Sequence, residues 1–344
     1  MSPFQTFHDW FDEDPSIFSH WLEPAGVVEP KPEQRNPYLA PHCNIPPCEK
    51  KREVFYLELQ EGCPHNTCAY CKTYKDIGFS NKKVEEVKAN FDLTLNVLEN
   101  RFNAPEEKSD LESITRFYLG GADILTYPTW DLVEVINYAK KKIEQRIGRK
   151  LSKISGYTTT SSLAGLSEFD LGYITRAGFN LAYWGLESGS SLVLDLVNKG
   201  YNPLFSEYVK NVISKLKQFP LRLSVFVMPG LGGIKYSPAH IIDTIEALAT
   251  INPSWITFLS INPKNTEYDE IIKKDNDNRH MTPKEVKEQM IMIADGLEEK
   301  LLKSGENVDC LVAAYNKRIT PVCRNPFTFR RRIKNSVKSN EGSK

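Results

Sequence analysis

Residues 54–71 read VFYLELQEGCPHNTCAYC, an alternating apolar run that passes directly into three closely spaced cysteines. Residues 54–59 have the period-two pattern and the β-favouring side chains of a strand. Cys63, Cys68 and Cys71 then fall on one loop. Spacing this short lets a single loop wrap a single centre, and thiolates favour soft metals and iron–sulfur clusters. Three thiolates without an obvious fourth leave a coordination position open, which chemistry needs and electron storage does not.

Outward from this loop, strand and helix alternate. Helical spacing covers residues 82–101, and residues 114–119 read as a second strand. A helix begins near Pro128 and runs to residue 147. The third strand begins at residues 154–157, and a helix over 167–177 stops before Gly178. Residues 181–186 form the fourth strand, followed by helical segments at 190–198 and 203–218. Residues 223–228 are the fifth strand, with a helix over 237–250 whose N-cap is Ser237. Residues 255–261 are the sixth, and a last helix over 283–303 is capped by Thr282. This order predicts an α/β fold with a parallel sheet and right-handed crossovers. Six such units fit a partial (β/α)6 TIM-like barrel better than a closed eight-unit one. In parallel sheets the chemistry sits at the carboxyl ends of the strands.

The remaining chain divides around that barrel, placed at residues 51–265. Residues 1–50 read as an N-terminal extension whose prolines bar long helices. Its Trp10, Phe11, Phe18 and Trp21 imply that it packs against something. Residues 266–329 read as a C-terminal α/β addition with a strand at 309–315. Residues 330–344, opening on Arg330-Arg331-Arg332, read as a basic flexible tail.

Composition narrows the function classes. The 344 residues are 40% hydrophobic and 26% charged with zero formal net charge. A chain of this size buries a core without metal staples, so a metal site here serves chemistry. Balanced charge gives no case for wrapping nucleic acid or docking on an anionic membrane. Seven cysteines, three of them within nine residues, suit metal ligation and not a disulfide framework. With neither a secretion signal nor an 18-residue apolar run, the expected location is the cytoplasm, off the membrane.

Each distinctive motif follows a strand. Tyr118-Leu119-Gly120-Gly121-Ala122-Asp123 places two glycines where a backbone approach can be close. Trp184-Gly185-Leu186-Glu187-Ser188-Gly189-Ser190 puts a carboxylate at a strand end. It can accept bonds from hydroxyls or an ammonium, or cap a helix beginning near Ser190. Met228-Pro229-Gly230-Leu231-Gly232-Gly233 is a glycine-rich turn after the fifth strand. The hydroxyl cluster at residues 158–162 lines a cavity at the same rim or caps the next helix.

The cysteine loop, with Tyr70 before its last cysteine, and this ordered series of strand ends resemble the radical SAM superfamily. The likeness is nearest its single-cluster methylthiotransferase and coproporphyrinogen-oxidase-like branch. The usual family spacing is C-x3-C-x2-C, whereas this chain has C-x4-C-x2-C. The resemblance implies a [4Fe–4S] cluster on Cys63, Cys68 and Cys71, with S-adenosyl-L-methionine bound at the open iron. It implies reductive cleavage to a 5′-deoxyadenosyl radical that abstracts hydrogen from a substrate. It implies cofactor contacts at Tyr70, Gly120, Gly121, Asp123, Glu187, Ser188, Pro229 and Gly230. Asp123 stands one place beyond the acid of the family's Gly-Gly-Glu motif, where this chain has Ala122. Lys199 is a candidate for the methionine carboxylate, and Ser260, Asn262 and Asn265 for adenine or substrate. A flavodoxin- or ferredoxin-type electron donor is implied as partner.

The reaction itself is unassigned. Thr73 stands where coproporphyrinogen oxidases carry a further cysteine, and no second cysteine trio accompanies the first. Cys43 and Cys48 either ligate a second metal or stay unligated; Cys310 is either buried structure or a hydrogen donor. Two alternatives stay open. One is a zinc-stabilised nucleic-acid-binding protein, with His65 as fourth ligand and the basic tail as contact. The other is an RNA-modifying enzyme of the same superfamily.

Overall fold

The computed structural model describes residues 46, 54–101, 114–200, 205–259, 261, 266–304, 309–315 and 327–334. The N-terminal extension apart from Pro46, Cys43, Cys48, Ser260, Asn262, Asn265 and Cys323 lie outside the described residues. Strand β1 (Val54–Glu58) shows how the alternating pattern becomes structure. Phe55 and Leu57 are buried in the main core, while Tyr56 points to the other face. Two short strands, β2 (Gln60–Glu61) and β3 (Ser80–Asn81), pair antiparallel and bracket the cysteine loop.

The sheet continues through β4 (Arg116–Gly120), β5 (Lys153–Thr159), β6 (Phe179–Glu187) and β7 (Arg222–Val227). It is completed by β8 (Trp255–Leu259), β9 (Asp309–Tyr315) and β10 (Phe327–Lys334). The order is β1-β4-β5-β6-β7-β8-β9-β10, parallel from β1 to β9. The sheet is open, with β1 and β10 at its edges. The strand at 309–315, expected within an addition, is thus the seventh parallel strand, one more than the six expected. Only β10 runs antiparallel, along β9. Arg330-Arg331-Arg332, expected in a flexible tail, lie in this strand. The charge run conceals a flanking apolar pattern, Phe327, Phe329 and the fully buried Ile333.

Nine helices are described: α1 (Val84–Arg101), α2 (Thr129–Ile147), α3 (Thr160–Gly165), α4 (Glu168–Ala177) and α5 (Ser191–Leu196), then α6 (Phe205–Leu216), α7 (Ser237–Ile251), α8 (Glu267–Lys274) and α9 (Pro283–Ser304). Their ends follow capping chemistry. Thr159 and Ser162 cap α3, and Ser167 and Asp170 cap α4, each as a reciprocal box. Thr282 accepts from the Glu285 N–H at 3.3 Å, and Glu285 accepts in return at 2.7 Å, as expected for α9. Ser237 is the first residue of α7 instead of its N-cap, which is Tyr236. The Ser237 hydroxyl is committed elsewhere, accepting from Gln289 Nε2 at 2.8 Å. No described helix is long and apolar enough to cross a membrane.

One face of the sheet packs on helices through Phe117, Phe179, Trp184 and Phe258. The opposite face carries an aromatic row, Tyr56, Tyr118, Tyr157, Tyr183 and Phe226, with neighbouring centroids 5.8–6.3 Å apart.

Candidate active site at the carboxyl ends of the strands

The cysteine loop leaves the sheet after β2 and is held by backbone bonds to the turn after α5. Ala69 N–H donates to Val197 O (2.9 Å), and Tyr268 N–H donates to Ala69 O (3.2 Å). His65 Nε2 lies 2.6 Å from the Asn198 carbonyl, and Asn198 Nδ2 donates to Thr67 O at 3.2 Å. Within the four-residue spacer between Cys63 and Cys68, Asn66 has φ 42°. Asparagine tolerates that left-handed conformation. Its side chain donates to Tyr74 O at 2.8 Å, and its N–H points to Cys63 Sγ at 3.4 Å. Beneath the loop, Ala69 packs with Val193, Val197, Met228, Leu231, Tyr268 and Ile272. That apolar floor limits water on the side facing the sheet.

Cys63, Cys68 and Cys71 are free thiols, Cys68 buried and the others half-buried. The other described cysteine, Cys310, is fully buried among core residues on the helix-facing side, so among the described residues the loop supplies three thiols and no fourth. No three His, Cys, Asp or Glu side chains among the described residues converge as the ligands of one metal ion do. Three thiols on one loop match, in number and in thiolate chemistry, the cysteine ligands of a cubane that leave one iron open.

Beside the loop, β6 ends in Glu187, which has φ 63°, the left-handed region. For a glutamate this conformation costs about 1–2 kcal/mol and persists only where the surroundings impose it. The strand bulges between Gly185 and Glu187. Because Gly185 has no Cβ, the Glu187 carboxylate folds back over it; a methyl there would lie 2.7 Å from Oε1. Lys199 Nζ approaches the same oxygen at 3.5 Å, while Oε2 is buried without a partner. Lys199 follows Asn198, whose φ of 53° turns the chain back toward the cysteine loop.

The electrostatics tie these groups together. Burial pushes the Glu187 carboxyl up, and Lys199 and Tyr70 pull it back. Burial alone would lower the Lys199 ammonium, yet Glu187, then Cys68, Cys63 and Asp123, outweigh it and hold the group above its usual range. Burial raises the Cys68 thiol, with Lys199 opposing. The Tyr70 hydroxyl is pushed well up, first by burial and then by Glu187 and Cys68. Asp123 is raised by burial; its Oδ2 accepts from Thr159 Oγ1 at 2.6 Å, and its Oδ1 has no partner. The fold therefore collects Tyr70, Asp123, Glu187 and Lys199 around the thiol loop.

The other expected contacts have local explanations. A Cβ on Gly120 would lie 2.0 Å from the Tyr56 hydroxyl, and one on Gly121 2.4 Å from Gln60 Oε1. Both glycines therefore admit neighbouring side chains. Gly230 follows Pro229 in a turn with φ 86°; its N–H donates to Gln289 Oε1 (2.6 Å) and its carbonyl accepts from Tyr268 (2.9 Å). Its backbone polar groups are engaged by the protein itself. Ser188 faces the interior, 2.7 Å from His240 Nδ1. Glu187 is not the cap of α5, whose N-cap is Ser190. At residues 158–162 the hydroxyls of Thr159 and Ser162 cap α3, and Thr160 accepts from Trp184 Nε1 at 2.9 Å. His240 and Thr244, buried beneath the Glu187 turn, gave no signal in the sequence beyond sitting on a helix.

No protein-family model matches the chain, and no curated protein matches it. Among solved structures it resembles coproporphyrinogen III oxidase (HemN) of Escherichia coli, a radical SAM enzyme, at 14% identity and TM-score 0.45. The match covers 74% of this chain and 54% of that one, so the chain spans about half the length of that structure. It also resembles the radical S-adenosylmethionine methyltransferase TsrM of Kitasatospora setae, with 11% identity, TM-score 0.45 and coverage of 64% and 39%. Methylornithine synthase (PylB) matches at 15% identity and TM-score 0.43 over 85% and 77%. The first two bear the name of the superfamily that the motifs resemble.

Proposed function

We propose that the chain is a radical S-adenosylmethionine enzyme with a single [4Fe–4S] cluster. The observation that carries this is the union of a three-thiol loop with the Lys199–Glu187 pair at the carboxyl end of a parallel sheet. When bound, the cluster and S-adenosylmethionine supply one-electron cleavage of the sulfonium to a 5′-deoxyadenosyl radical, which takes hydrogen from a substrate. Cys63, Cys68 and Cys71 would hold three irons and leave the fourth for the amino-acid end of the cofactor. That end carries one ammonium and one carboxylate. The chain offers Lys199 for the carboxylate, and for the ammonium two buried carboxyls, Glu187 and Asp123, each with an oxygen lacking a partner. Glu187 also suits ribose hydroxyls. Tyr70 and the apolar floor under Ala69 limit water on the side of the loop where Cys68 is buried. A flavodoxin- or ferredoxin-type protein is the proposed electron source, and the hydrogen donor substrate is unassigned.

In the zinc alternative His65 would ligate through Nδ1, since its Nε2 lies 2.6 Å from the Asn198 carbonyl. Anaerobic reconstitution with iron and sulfide separates the two readings. The radical reading predicts about four irons and four sulfides per chain and an optical or EPR change on adding S-adenosylmethionine. It further predicts that Cys63→Ala, Cys68→Ala and Cys71→Ala each lose the cluster. Stoichiometric zinc with no iron uptake would overturn it.

A further inference from the structure

The strained Glu187 turn is clamped from below by α7, through groups that no cofactor would touch. Ser188 Oγ pairs with His240 Nδ1 at 2.7 Å and accepts from the Ser190 N–H at 3.0 Å. Gly189 N–H donates to Thr244 Oγ1 at 3.0 Å. Gly189 lies so close to α7 that a Cβ would fall 2.1 Å from the Asp243 carbonyl oxygen. From above, Met228 N–H donates to Glu187 O at 2.9 Å. Ser188, Ser190, His240 and Thr244 are all buried, and His240 Nε2 has no partner. A core histidine with one idle nitrogen is an expensive way to fill space. Its remaining bond reaches the residue that follows Glu187.

We propose that His240 and Ser188 are positioning residues, which fix the left-handed Glu187 so that its carboxylate lies over Gly185 and holds Lys199 beside the thiol loop. The assignment rests on the reading of Glu187 and Lys199 as cofactor contacts. Ser188 keeps one oxygen for the Ser190 N–H and one bond for His240, which closes the turn in a single conformation. Without that bond the Glu187 turn is held by backbone bonds alone, Ser188 N–H to Leu186 O at 2.8 Å and Met228 N–H to Glu187 O, and the carboxylate is freer to swing off Lys199. Asparagine at 240 places an amide atom where Nδ1 stands, able either to accept or to donate; leucine fills the volume and can do neither.

Ser188→Ala, His240→Leu and His240→Asn, made in the full chain, test this with two readouts. The first is the rate at which an amine-selective reagent modifies Lys199 in the cluster-free protein, followed by mass spectrometry, with exposed Lys284 as internal reference. The second is the dissociation constant of S-adenosylmethionine for the reconstituted protein. Loss of a buried hydrogen bond of this kind corresponds to about a tenfold change. His240→Leu and Ser188→Ala are expected to speed Lys199 modification and weaken binding by about that factor, with His240→Asn within about twofold of the parent. Should His240→Leu not fold, Ser188→Ala, which removes one oxygen, carries the test. Parental Lys199 rates in folded Ser188→Ala and His240→Leu would overturn the proposal, whatever the binding data. If the parent binds no S-adenosylmethionine while Lys199 follows the expected pattern, the functional reading falls and the positioning role stands.

Discussion

At the scale of single residues, the site is built on glycines that make room and on one glutamate held against its preference. Gly185 is the clearest lever, because the atoms nearest a methyl there belong to the flexible ends of Glu187 and Lys199. Gly185→Ala is therefore expected to displace the carboxylate, weaken S-adenosylmethionine binding about tenfold and cost less than about 1 kcal/mol of stability. Isothermal titration paired with denaturant melts would check both parts. Gly189→Ala meets the backbone of α7 instead, and chemical denaturation should show a loss of about 3 kcal/mol. His240 adds a pH signature. Burial pushes its imidazole from 6.5 down to about 4. The unfolded chain takes up that proton near pH 6.5 and the native chain only near 4, so stability is whole above the first value and falls as pH drops toward the second. The loss approaches about 3 kcal/mol. His240→Asn should flatten this acid limb in urea melts between pH 7 and 4.5; an unchanged limb would assign the slope to other groups.

At the scale of elements, the sequence pattern announced the parallel strands β1 and β4 to β9 and most helices to within a few residues, but not the short pair β2 and β3. Phe55 and Leu57 against Tyr56 gave β1; Thr282 with Glu285 gave the start of α9. What escaped was set by tertiary partners. Ser237 looked like a cap but spends its hydroxyl on Gln289, and the arginine run hid β10 because three charges interrupt its apolar residues. β10 covers the edge of β9, and Ile333 is fully buried there. Ending the chain before Phe327 would expose β9 as an unpaired edge. That truncation should lower the melting temperature and promote association visible by light scattering. A truncation that removes the basic segment to test nucleic-acid binding must therefore cut after Lys334, which leaves β10 whole, because a cut within Phe327–Lys334 also removes part of the strand.

At the scale of the whole molecule, a parallel sheet brings three separate strand ends to one rim. The cysteine loop, the Gly120–Asp123 turn and the Glu187–Lys199 segment were legible because each follows a strand directly. Their convergence was not, since it depends on the order in which β1, β4, β5 and β6 lie side by side. The role of His240 was invisible for a related reason: it acts from α7 through Ser188, more than fifty residues away in sequence. Product analysis reads out the chemistry proposed for this rim. The anaerobically reconstituted chain, given S-adenosylmethionine and dithionite, should release 5′-deoxyadenosine and methionine, and Cys68→Ala should release neither. A protein that binds a full cluster and S-adenosylmethionine yet yields no 5′-deoxyadenosine under reduction would contradict it.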